Sequence, residues 1–133
     1  MIVQLRSVPG TNAALGWAGT HTLVVDRPEG RAGGQGLGFN GGQLLALSIG
    51  GCFCNDLHYA AHDLGIRLRY IEVDVELTLE GSPLLATKAH LFVTVKADDP
   101  AADLDNLVSR ADEISTVSNS LRRGISVETS IGR

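Results

Sequence analysis

The chain has 133 residues, 44% of them hydrophobic and 20% charged, which fits one globular domain spanning 1–133 with a single core. No stretch approaches the ~18 consecutive apolar residues that cross a bilayer, and the opening residues 1–10 carry Gln4 and Arg6 in place of a basic start and a long apolar centre, so a cytoplasmic protein with no membrane partner is expected. A net charge of −4, a pI of about 5.4 and basic residues scattered except at Arg122-Arg123 exclude a surface that tracks phosphates, and with it nucleic acid as a partner.

Residues 2–6 and 21–26 are short β-rich runs with Trp17 near turn material between them, so the N-terminal quarter reads as a strand meander. The stretch 27–40 holds Pro28 and five glycines. Glycine loses the most backbone entropy on ordering, so this segment predicts a mobile loop of the kind that often lies over a site.

From Gly42 to about Gly65 the pattern is helical, and its first half, QLLALSIGGCFC, is apolar nearly all round, which predicts burial on every side. Gly50 and Gly51 each cost roughly 1 kcal/mol against alanine in a helix. Their presence implies close approach by another backbone, with a helix from a second subunit as the expected neighbour. Gly65 supplies the stop.

Residues 70–80 alternate strictly, with Ile71, Val73, Val75, Leu77 and Leu79 on one face and charged or hydroxyl side chains on the other. Gly81-Ser82-Pro83 makes a turn and 89–97 returns as the second strand of a hairpin, one face over the helix and the other wet. Asp98-Asp99-Pro100 is placed to cap a helix that buries Leu104, Leu107, Val108 and Ala111. A short helix over 117–123 ends at Gly124, and Ile125 and Val127 alternate with Ser126 and Glu128 in a last strand. The order strands, buried helix, hairpin, helices, strand is an α+β fold.

Chemistry centres on the helix. Two cysteines, Cys52 and Cys54, are too few for a disulfide framework, and residues two apart on a helix diverge by about 200°, so they do not pair. Cys52, Asp56, Tyr59 and Asp63 share one stripe. A carboxylate one turn from the sulfur works against thiolate charge unless a cation such as Arg6, Arg27 or Arg31 intervenes. A buried free cysteine is more often packing than nucleophile.

Cys54, His58 and His62 lie four residues apart on a neighbouring stripe. Three ligands from one helix rarely converge and no acidic residue completes the set, so structural roles are favoured and no metal or other cofactor is expected. Ser115, Ser118 and Ser120 have no nucleophile elbow or His/Asp companion, and helix capping or turn bonding accounts for them.

The segment N-G-G-Q-L-L-A-L-S-I-G-G-C, 40–52, resembles the OsmC and organic hydroperoxide resistance family, whose corresponding segment reads roughly Asn-Pro-Glu-x-Leu-Leu-Ala and ends in Ala-Cys. C-F-C-N-D-L and E-I-S-T-V-S-N-S-L-R-R-G, 113–124, look like a branch of OsmC-like proteins. The resemblance implies an OsmC-like fold: β-sheets wrapped around a long buried central helix, in an intertwined homodimer with a site at the subunit interface.

In peroxidase members the helix cysteine attacks an organic hydroperoxide, an arginine and a glutamate hold its thiolate, and a second cysteine resolves the sulfenic acid. By position Cys52 is the attacking thiol. Gly41 and Gly42 stand where the family has Pro and Glu, and the region of the resolving cysteine reads Ser115-Thr116-Val117. Cys52 is therefore the expected catalytic residue, with Arg27, Arg31, Asp56 and Tyr59 as binding candidates around a small hydrophobic molecule such as a peroxide. The competing reading is a noncatalytic binding or biosynthetic protein that has lost peroxidase chemistry.

Overall fold

The computed structural model describes residues 1–132. Its elements run β1 (Gln4–Ser7), β2 (Ala14–Ala18), β3 (His21–Val25), α1 (Gly41–Leu64), β4 (Leu68–Glu80), β5 (Leu85–Ala97), α2 (Leu104–Ile114) and α3 (Thr116–Arg123). This is an α+β chain with the expected order as far as its last helix, and it divides into two compact units, 1–45 and 46 onward.

The first unit is an antiparallel meander in the order β1-β2-β3. Trp17 lies within its central strand, two residues before the Gly19-Thr20 turn, paired with Gln4 on one side and Thr22 on the other. Ala14–Ala18 is a poor strand on composition. Neighbours on both edges impose the extended form that propensity alone does not predict.

The loop after β3 departs further from expectation. Rather than a mobile segment, 27–40 is closed on itself by backbone bonds from Gly30 N–H to the Gly34 carbonyl, Gly34 N–H to Arg31, Gly36 N–H to Arg27 and Phe39 N–H to Val24. Its glycines allow this density. A Cβ at Gly34 would lie 2.5 Å from the Pro28 carbonyl oxygen, and one at Gly38 would overlap the Val24 carbonyl. The entropy that glycine loses is offset by backbone bonds that only glycine leaves room for.

The helix begins with a reciprocal cap. Asn40 Oδ1 accepts from Gln43 N–H at 3.0 Å, and Gln43 Oε1 accepts from Asn40 N–H at 2.9 Å, which satisfies two donors that a helix start leaves orphaned.

In the second unit Phe53, Leu57, Ala60 and Ala61 of α1 recur at helical spacing and form the core with Leu107 and Ala111 of α2. Ile71, Val73, Leu91, Val93 and Val95 cover it from the β4-β5 hairpin. The hairpin register pairs Val73 with Val93 and Ile71 with Val95, so the apolar faces of both strands coincide.

Gly50 admits the hairpin. A Cβ there would meet Val75 Cγ2 at 2.9 Å, so what approaches is a strand side chain and not a second backbone, while Gly51 faces open space. The helix is not covered on every side within the chain. Leu47, Gly51, Asn55 and Tyr59 form an exposed stripe, with Leu47 at 54% and Tyr59 at 65% exposure.

Two boundaries differ from the sequence reading. The cap of α2 is Asp103, whose side chain accepts from Asn106 N–H at 3.0 Å, and Asp99 instead closes the preceding turn through Ala101 N–H. Starting at Leu104 puts Leu107 and Ala111 into the core. The expected last strand is absent among the described residues: Ile125 and Val127 are exposed and outside any strand. Alternation makes a strand only where an edge pairs with it.

Candidate functional site

Position 52 falls on the border of the buried face of α1, one residue before Phe53, so its side chain is half-buried between core and solvent. Asp56, one turn on, lies on the inner face and is only 6% exposed. The i, i+4 spacing brings them together: the Cys52 thiol donates to Asp56 Oδ2 at 3.4 Å.

The third member comes from the α2-α3 junction. Ser115 is 0% exposed, its Oγ lies 3.9 Å from Cys52 Sγ as donor to the sulfur, and 3.2 Å from the Oγ of buried Ser118. Ser115 is the donor in both contacts, and its one proton is shared between the Ser118 oxygen and the sulfur while the thiol donates to Asp56. Capping does not account for Ser115. It occupies the N-cap of α3 but makes no side-chain cap bond. Only Ser120 behaves as expected, donating to the Thr116 carbonyl at 2.7 Å.

Sequence reasoning alone sets these serines aside. The available signal is the 3-residue spacing of Ser115 and Ser118, which puts both hydroxyls on one side of a helix start. What composition does not supply is the 63-residue separation that the fold closes between Ser115 and Cys52.

The remaining candidates have the following surroundings within their own units. Arg27 is tied within the first unit: its guanidinium donates to the Asn12 carbonyl at 2.7 Å and lies 3.5 Å from Asp26 Oδ1. Arg31 is exposed, and among the described residues no hydrogen bond or ion pair engages its side chain. Tyr59 belongs to the exposed stripe of α1. Within the second unit, no Arg or Lys bonds to Cys52 or Asp56 among the described residues.

Cys54 is half-buried, and burial pushes its thiol up from the usual range. His58 and His62 are exposed, with His62 Nδ1 3.5 Å from Asp63. Among the described residues no three His, Cys, Asp or Glu side chains gather as a metal site, and no helix is long and apolar enough to cross a membrane.

One buried carboxylate escapes the sequence reading. Asp26 accepts from the backbone N–H of Arg27, Gln35 and Leu37 at 2.8, 3.0 and 3.1 Å. The Leu37 bond above all, helped by Gln35 and Arg27, holds its carboxyl below the usual range against the desolvation that opposes it. The glycine-rich loop is thus built around an anion. The first unit also holds an apolar cavity of about 230 Å³ against the meander, lined in part by Leu5, Trp17, Leu23 and Leu44.

A family model describing OsmC-like proteins matches residues 33–130. No curated protein sequence matches the chain. Among solved structures, an OsmC-like protein of Mycoplasma pneumoniae superposes with a TM-score of 0.76 at 12% identity, over 91% of this chain and 86% of that one. An organic hydroperoxide resistance protein OsmC of Legionella pneumophila gives 0.65 at 22% identity, over 91% and 88%. The organic hydroperoxide resistance protein OhrB of Bacillus subtilis gives 0.60 at 25%, over 91% and 89%.

Proposed function

Because the chain belongs to the OsmC-like protein family, we propose that it is a homodimeric thiol-dependent protein in which Cys52 reduces an organic hydroperoxide or attacks a comparable apolar electrophile. The observation that carries this reading is the polar run Ser118, Ser115, Cys52, Asp56 set into an otherwise apolar core. Burying an unbonded hydroxyl costs about 1–3 kcal/mol and an unpaired carboxylate more, and small apolar residues would fill the same space without that cost. The name carried by the Legionella and Bacillus structures supports the substrate class.

In this reading Asp56 takes the thiol proton as the sulfur attacks the outer peroxide oxygen. The S–O bond forms, the O–O bond breaks, and the leaving alkoxide receives that proton, giving Cys52 sulfenic acid and an alcohol. Sulfur loses two electrons and the peroxide gains them. Two equivalents of an external thiol then return Cys52 to the thiol, with a disulfide and water as products, because Ser115 has no thiol to offer.

The exposed stripe Leu47, Gly51, Asn55 and Tyr59 supplies the dimer contact, since it is the half of an apolar helix that the chain itself leaves uncovered. The apolar cavity in the first unit favours a second reading, a binder of a small hydrophobic molecule that has no need of the thiol.

One experiment separates them. Reduced protein is given an alkyl hydroperoxide and an external thiol, and peroxide loss is followed for the parent and for Cys52→Ser. Turnover that disappears in the variant supports the peroxidase. Absence of turnover in the parent, with an apolar ligand retained equally by both, supports the binder.

A further inference from the structure

Ser115 is the first residue before α3, where a serine hydroxyl ordinarily accepts from a backbone N–H two or three residues on. It makes no such bond. Its oxygen points instead into the second unit, fully enclosed, between the Cys52 sulfur at 3.9 Å and the Ser118 hydroxyl at 3.2 Å. Ser118 is itself buried at 8% exposure and sits one turn into α3. One buried hydroxyl at the helix start therefore reaches the sulfur of another helix, and a second buried hydroxyl holds it from behind.

We propose that Ser115, braced by Ser118, is a positioning residue for the Cys52 sulfur, a role that rests on the reading of Cys52 as the reacting thiol. Asp56 and Ser115 contact the sulfur from two elements, α1 and the α2-α3 junction. As the thiol proton passes to Asp56, negative charge develops on sulfur, and the enclosed Ser115 hydroxyl donates to it from the core side. The same bond fixes the direction in which the sulfur lone pair points. Ser118, whose oxygen accepts from the Ser115 hydroxyl at 3.2 Å, holds that hydroxyl beside the sulfur, and the proton turns to the sulfur as charge develops there.

A merely structural serine and a positioning serine differ in the sign of their effect. Removing a packing contact loosens the pocket and exposes the sulfur, so reaction with a small neutral electrophile stays equal or speeds up. Removing a donor to the sulfur slows it.

The test uses the full chain with Cys54→Ser, so that Cys52 is the reporting thiol, and compares this parent with Ser115→Ala and Ser118→Ala. Rates of Cys52 modification are read by intact mass with an alkyl hydroperoxide and, separately, with iodoacetamide, alongside thermal unfolding. The expected result is about fivefold slower reaction for Ser115→Ala with both reagents, the size of one lost hydrogen bond, and roughly twofold slower for Ser118→Ala. Equal or faster rates in Ser115→Ala overturn the proposal. Should that variant fail to fold, Ser118→Ala decides by the same criterion. A parent inert to hydroperoxide whose alkylation still slows in the variants sinks the peroxidase reading and leaves the role of Ser115 standing. A reactive parent whose variants match it does the reverse.

Discussion

Ser115 stands 3.9 Å from the Cys52 sulfur, close enough that a thiol in its place would reach bonding distance with a modest change of side-chain rotamer. Ser115→Cys is therefore expected to form a disulfide between the introduced thiol and Cys52 when oxidised, read as the loss of two hydrogens by intact mass and reversed by reductant. A stable sulfenic acid with no disulfide would mean that the backbones diverge. A second residue-scale prediction concerns Asp26, whose carboxyl is held below the usual range by three backbone donors and Arg27. A lowered folded value means stabilisation that is present above the unfolded value of about 3.9 and is lost as pH falls through the folded one. Asp26→Asn is expected to melt below the parent by a constant gap above about pH 5, and the gap should narrow below about pH 4 and vanish once pH is below the folded value. A gap that does not change with pH would assign the loop to packing alone.

Elements were legible where one periodicity dominates. The strict alternation of β4 and the helical stripe Phe53, Leu57, Ala60 and Ala61 are local signals that burial reinforces. What composition could not give was anything decided by a distant partner: β2 as the central strand, the order of the 27–40 loop around one buried carboxylate, and the loss of the last strand at Ile125 and Val127. The site divides in the same way. Cys52 and Asp56 are legible as an i, i+4 pair, whereas Ser115 reaches the sulfur only through tertiary packing. The two helix glycines make this testable. Alanine at Gly50 gains about 1 kcal/mol of helix propensity but overpacks the stiff Val75 side chain, which costs about 1–3 kcal/mol. With the Cβ only 2.9 Å from Val75 Cγ2, Gly50→Ala should lower stability by about 1 kcal/mol in denaturant unfolding. A gain would show that the hairpin yields.

At the scale of the molecule, α1 carries its core face inward and leaves Leu47 and Tyr59 outside. The dimer reading places that stripe against a second copy. Light scattering is expected to give about twice the 14.0 kDa chain mass, and Leu47→Glu, a charge placed in that contact, should shift it to one chain. An unchanged mass in Leu47→Glu would move the interface elsewhere.

The central claim is that Cys52 is a reacting thiol, and a single-turnover reaction tests it most directly. Reduced protein is mixed with one equivalent of an alkyl hydroperoxide in the absence of any other thiol, and the products are read by intact mass and fragment mapping. Rapid loss of one equivalent of peroxide, with one oxygen atom added at Cys52 and none at Cys54, is the predicted result. Peroxide that survives with both thiols intact would contradict it.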